Sequence, residues 1–259
     1  NLGYCHFKLK DYSSAVNYFK KVTNSSTNNT ERLNDSYLRL GDSYFVTSQY
    51  KPAQTTYNDA LRLNGAEQDY AAFQKTLCSG FLGDTSAKID GLNSFLTSYP
   101  KSSLRDDALF ELGNSYIKTN EEATVLKTYD RLLEEFATSK FAPRAMLRQG
   151  LVHYNANRNG QALTKLKGVV QKYPNTQEAK QAVATAKLVY VDEGRVSEYA
   201  TWARSLDFVE VTDTELDNAS FEAADRKYIE GKTDMAINGY EAYLKEFPNG
   251  LHALNANFN

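Results

Sequence analysis

Three histidines, two cysteines and a few carboxylate pairs are the side chains of this sequence whose types could do chemistry. Histidine moves protons or ligates zinc, a thiolate attacks or binds metal, and two facing carboxylates divide acid and base roles. The spacing supports none of these. His6, His153 and His252 form no His-x-x-x-His motif and no His/Cys cluster suited to zinc. Glu121-Glu122 and Glu134-Glu135 are adjacent, so on a helix each pair diverges by about 100° and makes no dyad. No glycine-rich phosphate loop follows a strand, because no strand pattern is present. The residues point to no enzyme, no metal and no cofactor.

Composition narrows the class further. Across 259 residues, 30 Lys plus Arg stand against 32 Asp plus Glu, which leaves no basic footprint for nucleic acid. No apolar run approaches the roughly 20 residues needed to span a bilayer. The chain opens on NLGYCHFKLKDY without an initiating Met or a charged-then-apolar leader, which leaves a removed signal segment open. Sequons at Asn24, Asn28, Asn34 and Asn218 are what an Asn/Ser/Thr-rich chain produces by chance.

The organising feature is a repeat. Tyr99-Pro100, Tyr173-Pro174 and Phe247-Pro248 are each 74 residues apart, and Phe136-Ala137 lies midway between the first two, so the period is 37. Ala15, Ala53, Lys88, Val125, Ala162, Tyr199 and Ala236 share one register; Phe19, Tyr57, Leu92, Tyr129, Leu166, Ala203 and Tyr240 follow four residues later. Val22, Ala60, Phe95, Leu132, Val169, Leu206 and Tyr243 come three beyond those, completing one helical face. Twelve residues before the first set lie Gly3, Gly41, Thr76, Gly113, Gly150, Lys187 and Ala224. Small residues inside a helix cost stability unless another helix needs the room, so each unit is expected to be a closely crossed helical hairpin. Ser102-Ser103, Thr176 and Thr212-x-x-Glu215 read as helix caps, and Pro143 as a first helical residue. The aromatic ends a second helix, and the proline forbids its continuation.

The segment YLRLGDSYFVTSQYKPAQTTYNDALRLN, residues 37 to 64, resembles a tetratricopeptide repeat (TPR). Tyr37, Leu40-Gly41, Tyr44, Tyr50, Ala53, Tyr57 and Ala60 fill its pattern, and the register covers essentially the whole chain, most weakly in units three and six. The resemblance implies an all-α, right-handed α–α superhelix, a TPR solenoid of about seven hairpins across residues 1–259. The stretch FATSKFAPRAMLRQGLVHYNANRNGQALTKLKGVVQKYPNTQEA is similar to envelope-associated bacterial members that favour a YP-x-S/T phrase, namely Tol-Pal coordinators and outer-membrane assembly lipoproteins, and to long Bacteroidetes TPR proteins. That likeness implies a periplasmic or outer-membrane-associated address, with a cytoplasmic one as the alternative.

In this family the first helices line a concave groove that binds a protein or peptide partner. Carried over by register, the groove residues are Phe45, Tyr70, Phe73, Phe110, Asn114, Lys118, Arg144, Arg148, Tyr154 and Tyr228. The aromatic members have a second reading, in which they fill the seam between successive first helices. Some family members grip a peptide C-terminus with Lys, Asn and Arg; Asn114, Arg144 and Arg148 match part of that clamp, while Phe73 and Leu77 occupy positions it would need polar. An ordinary solvated basic turn explains the same residues.

Asn1 and Asn259 both fall inside a first helix, so the sequence is expected to be a fragment of a longer array. Softer joints are expected near 24–34 and 206–220. Cys5 and Cys78 share a register two units apart, a separation of roughly 20 Å by helix packing distances. A disulfide bridges about 7 Å at most, so both are expected to be free, half-buried thiols. The leading functional expectation is a non-enzymatic protein-binding scaffold. A regulatory module with ligand-dependent curvature, or a spacer within a larger protein, are its alternatives.

Overall fold

The computed structural model describes residues 2–25 and 27–258, among which every regular element is a helix. Asn1, Ser26 and Asn259 lie outside the described residues, and with them the expected helical position of each terminal residue and part of the 24–34 joint. None of the described helices is long and apolar enough to cross a membrane. The chain divides into two compact units, Asn1–Phe141 and Ala142–Asn259.

The first unit holds four hairpins: α1 (Leu2–Lys8) with α2 (Tyr12–Thr23), α3 (Thr30–Val46) with α4 (Tyr50–Arg62), α5 (Gln68–Phe81) with α6 (Thr85–Ser98), and α7 (Arg105–Lys118) with α8 (Glu122–Glu135). The second holds α9 (Ala142–Asn155) with α10 (Asn159–Lys172), α11 (Gln177–Asp192) with α12 (Val196–Ala203), α13 (Asp213–Ile229) with α14 (Thr233–Glu246), and then α15 (Ala253–Phe258). The all-α architecture of stacked two-helix modules is thus an α-solenoid.

One backbone device closes every hairpin. Lys10, Ser48, Gly83, Asn120, Asn157, Gly194 and Gly231, all in one register, have φ between 55° and 87°. The next residue's N–H then returns to a carbonyl five residues back, as in Asp11 to His6 (2.9 Å), Gln49 to Tyr44 (2.8 Å) and Lys232 to Lys227 (2.9 Å). This left-handed stop satisfies the orphan carbonyls at the first helix's end. Gly or Asn, which tolerate it best, fill five of the seven sites.

The hairpin crossing follows the glycines. A Cβ built on Gly41 would sit 2.6 Å from the Tyr57 ring, and one on Gly113 would sit 2.4 Å from Tyr129. Gly3 faces Phe19 and Gly150 faces Leu166 in the same way. Tyr57 and Tyr129 are fully buried there, and such burial stabilises by roughly 1.5 to 3 kcal/mol per large side chain. In two hairpins the roles reverse: Gly91 on α6 makes room for Thr76, and Gly239 on α14 for Ala224. In α11 and α12 the ring position is Ala203 and the glycine position Lys187, whose ammonium turns outward to Glu215 at 2.6 Å.

Between hairpins the aromatic closes the second helix, as expected. Tyr99, Phe136, Tyr173 and Phe247 are C-caps with ψ between 53° and 65°, outside the helical region. The polar residues that follow differ from the sequence reading. Ser102 and Ser103 do not cap α7, whose N-cap is Leu104 without a side-chain bond. Ser102 instead accepts from Leu104 N–H (3.1 Å) and donates back to Asp69 of the preceding hairpin (2.6 Å). Ser139 does the same with Phe141 N–H (3.1 Å) and Asp106 (2.6 Å). At the third such site the Leu251 N–H donates to Asp217 at 2.7 Å. Thr176 and Thr212 do cap their helices, accepting from Ala179 N–H and Glu215 N–H at 3.1 Å.

The second of the expected joints, 206–220, follows the shortest second helix. There α12 has 8 residues against 12 to 14 in the other second helices, and it meets α13 only lightly.

The crossing gives a direct prediction. Gly113→Leu should cost about 1 to 3 kcal/mol by overpacking against Tyr129. Gly160→Ala, where an added Cβ meets nothing within 4 Å, should not lower stability and should raise it by up to about 1 kcal/mol through helix propensity. Urea denaturation of the two variants compares them, and equal midpoints would mean the crossing lies elsewhere.

Candidate functional site

The first-helix side chains form polar chains that run from hairpin to hairpin inside each unit. They begin at the crossing, because the residue after the glycine position holds the ring's hydroxyl. Tyr57 donates to Asp42 (2.8 Å), Tyr129 to Asn114 (2.8 Å) and Tyr240 to Asp225 (3.0 Å). Asp42 also accepts from Tyr70 of α5 (2.7 Å) and from Arg39 (2.6 Å), and is itself buried. Arg39 continues to Glu67 at 2.9 Å and Asp35 at 3.5 Å, and Asp35 accepts from Tyr4 of α1 at 2.5 Å. One connected set of phenols, carboxylates and a guanidinium therefore links α1, α3 and α5. Burial, and next the Asp42 charge, push the Tyr57 and Tyr70 hydroxyls above the usual phenol range.

The second unit repeats this chemistry with different residues. Tyr154 of α9 donates to Asp192 of α11 at 2.5 Å, and Asp192 pairs with Arg226 of α13. Arg144 reaches Glu178 at 2.9 Å, and Lys187 reaches Glu215 at 2.6 Å.

The residues read from the sequence as groove positions divide accordingly. Phe73 and Phe110 are corrected to packing residues, 5% and 6% exposed. Phe73 lies against Phe95 of its own hairpin (5.6 Å), and Phe110 stacks on Phe141 at the seam toward the next hairpin (4.7 Å). Phe45 sits at a hairpin turn with Tyr50 and Phe81, half-buried. Tyr70, Asn114 and Tyr154 are engaged in the polar chains described above. Lys118 is exposed and has no ion-pair partner among the described residues; Arg144 is paired with Glu178; Arg148 is half-buried; Tyr228 is 52% exposed. Asn114 and Lys118 belong to the first unit, Arg144 and Arg148 to the second.

The cysteines are both free but unequal: Cys78 is buried and Cys5 exposed, where equal half-burial was expected. Burial pushes the Cys78 thiol up to about 12, so it stays protonated and inert at neutral pH. The histidines pack or bridge locally. His153 is buried and meets Arg158 at 3.0 Å, His6 stacks on Tyr18, and His252 stacks on Phe221. Asn34 of one sequon is buried and donates to the Ala66 carbonyl; the Asn24 sequon includes Ser26, outside the described residues.

Sequence reasoning missed Asp69, Asp106 and Asp217, which tie one hairpin to the next. Their signal was present, since they share the 37-residue register and each precedes its partner by 33 or 34 residues.

Residues 107–139 and 144–176 each match a family described as tetratricopeptide repeat, and residues 1–29 match a second of the same description. Those three segments are similar to tetratricopeptide repeats. The matched TPR segments start in α7 and α9 and stop at Ser139 and Thr176, the polar residues of the following turn. Among solved structures, a tetratricopeptide repeat protein from Parabacteroides merdae is similar at 15% identity and a TM-score of 0.59, over 99% of this chain and 96% of that one. The C-terminal part of a TPR repeat-containing protein from Cytophaga hutchinsonii is similar at 15% identity and 0.59, over 98% and 97%. YrrB, described as a TPR protein with an unusual peptide-binding site, is similar at 16% identity and 0.54, over 70% and 87%. At these identities the likeness is one of fold. No curated protein matches the sequence.

The buried phenols make stability depend on alkaline pH. Tyr154, Tyr199 and Tyr243 are each pushed up to about 12 from an ordinary 10.0, first by burial, and then by Asp192, Glu215 and Asp217 respectively. Their contribution is complete below pH 10. Above it the unfolded chain loses these protons while the folded one keeps them, so stability falls as pH climbs from 10 to 12. Urea midpoints should hold steady up to pH 10 and then drop, less steeply in Tyr154→Phe and Tyr243→Phe; a midpoint constant to pH 12 would contradict this.

Proposed function

We propose that this chain is a non-enzymatic scaffold whose first-helix faces hold an extended or helical segment of another protein, within a bacterial envelope assembly. The observation that carries the reading is the pair of polar chains, Tyr4–Asp35–Arg39–Asp42–Tyr70 and Tyr154–Asp192–Arg226, laid across successive first helices. Tyrosine and arginine are the residue types that dominate binding energy at protein interfaces. Here many are fixed by their neighbours, so a partner meets ordered groups and loses less entropy on binding. Exposed Tyr228, Leu188 and Arg144 add apolar and charged contacts on the first helices of the second unit. YrrB, a structural neighbour, is described as having a peptide-binding site, which supports the general mode. The envelope address and the likeness to Tol-Pal coordinators and outer-membrane assembly lipoproteins rest on the YP-x-S/T phrases of the sequence.

A regulatory reading draws on the thin packing between α12 and α13. The Asp192–Arg226 and Lys187–Glu215 pairs cross that joint on the first helices, so a partner that competed for Arg226 would loosen it. Solution scattering profiles identical with and without partner would count against this mode.

Crosslinked pull-down with the full chain, followed by titration of the recovered segment, tests the main proposal. Arg144→Ala with Arg148→Ala, and separately Tyr228→Ala, should weaken binding by about tenfold or more if these residues form part of the interface. Failure to recover any partner, or affinity unchanged in both variants, would remove the proposal.

A further inference from the structure

The hairpin turns share one backbone shape but not one surface. Those of α3–α4 and α5–α6 expose an apolar cluster. The Phe81 ring at the end of α5 stacks on Tyr50 at the start of α4, with centroids 4.5 Å apart and planes at 11°. Phe45 meets both rings edge-on, at 5.4 Å from Phe81 and 5.5 Å from Tyr50. This stack does not fill the core, since Phe81 is 57% exposed, and its neighbours Val46 and Leu82 are 52% and 45% exposed. Aromatic and branched side chains left open to water in one cluster across two hairpins mark a contact surface more than a fold requirement.

A cleft continues this edge toward the first hairpin. It has a volume of about 360 Å³ and lies between the start of α2 and the α3–α4 turn, with Tyr12, Val16, Lys20, Tyr44, Gln49 and Pro52 among its walls. Tyr12 holds its place there by an edge contact with Phe7 at 5.4 Å. The cleft is roomy enough for one large side chain of a partner.

Several cations around this edge are without carboxylate partners. Lys8, Lys10, Lys20 and Lys51 are exposed and have no ion-pair partner among the described residues. Lys20 lies 5.5 Å from the Tyr44 ring centroid, and Lys51 reaches only the Gln54 amide at 3.3 Å. The carboxylates of the same turns are engaged. Asp11 accepts from the Ser14 N–H (3.2 Å) and meets His6 (3.0 Å), and Asp84 caps α6 by accepting from the Ala87 N–H (2.9 Å). On the first-helix face the reverse holds, with Arg39 ringed by Asp35, Asp42 and Glu67.

We propose that the hairpin-turn edge of the first unit binds an acidic peptide segment of another protein. Apolar side chains of that segment cover the Tyr50–Phe81 stack and enter the cleft beside Tyr12, while its carboxylates meet Lys8, Lys10, Lys20 and Lys51. This surface is separate from the first-helix face and does not depend on it.

Selection of a random displayed peptide library on the full chain tests the proposal. The expected consensus combines Asp or Glu with aromatic or aliphatic residues. A synthetic consensus peptide, followed by fluorescence anisotropy, should bind about tenfold more weakly to Phe81→Ser and to Lys20→Glu with Lys51→Glu. Its affinity for Arg144→Ala should be unchanged. Circular dichroism checks that each variant folds, and the lysine pair, being exposed, gives a reading even if Phe81→Ser does not fold. No enriched sequence, a consensus without acidic residues, equal affinity for the variants, or an oligonucleotide bound as tightly as the peptide would each overturn the proposal.

Discussion

A tyrosine ring can approach another helix at these distances only where that helix presents no Cβ. Gly41 and Gly113 supply that gap for Tyr57 and Tyr129, and the consequences spread outward from it. Once the ring is seated, its hydroxyl reaches the residue beside the glycine, Asp42 in one hairpin and Asn114 in the other. Asp42 is then held in a buried position with lone pairs to spare, and Tyr70 of the next hairpin and Arg39 complete its shell. A buried carboxylate is tolerated only when it is paired and hydrogen-bonded, so the first-helix surface follows from the crossing. Where the ring is absent, at Ala203, the glycine is absent too, and Lys187 stands in its place.

The same economy of position governs the joints between hairpins. A second helix must stop so that the next hairpin can stack, and an aromatic before proline does this because the residue ahead of proline is driven out of the helical region. Phe136 shows that the proline is dispensable, since it stops at ψ 53° with Ala137 behind it. What the joint also needs is a tie to the hairpin just left. Asp69 and Asp106 provide it through Ser102 and Ser139. Pro143 and Lys180 occupy that register at the next two joints, where Thr176 turns forward to cap α11 instead, and Asp217 resumes the tie by accepting from Leu251 N–H.

The fold was legible because its determinants repeat: glycine against ring, aromatic at the joint, and a fixed interval between them. Averaging over seven units tolerates exceptions such as Thr76 and Lys88. It also hid where those exceptions were compensated, since Gly91 and Gly239 restore the gap from the opposite helix, three residues past a register position occupied by Lys88 or Ala236. The site was less legible. A first helix touches its own partner and the hairpins on either side, and period alone does not separate these faces, so Phe73 and Phe110 looked equivalent to surface residues. Cys5 and Cys78 show the same limit, because register fixes direction and cover depends on which helices are stacked alongside. Ser102 was misread because a hydroxyl near a helix start fits a cap and a tie equally well, and the distance to Asp69 decides between them.

Polar groups on this chain fall into two physical states, and the difference bears on how each surface can recognise anything. Arg39, Asp42, Tyr154 and Asp192 already have internal partners, so a ligand at the first helices must offer bonds at least as good as those it displaces. Exchange of one charged pair for another is close to neutral in free energy and acts mainly as a filter on geometry and sign. Lys20 and Lys51 have no charged partner and only a ring or an amide beside them, and Phe81 on the same edge is already exposed. Apolar cover supplies the net driving force at such a surface, and the unpaired cations select which apolar segment is admitted. Two surfaces built on one repeat can therefore divide the work, with selectivity concentrated where partners must be exchanged and affinity where water alone must leave.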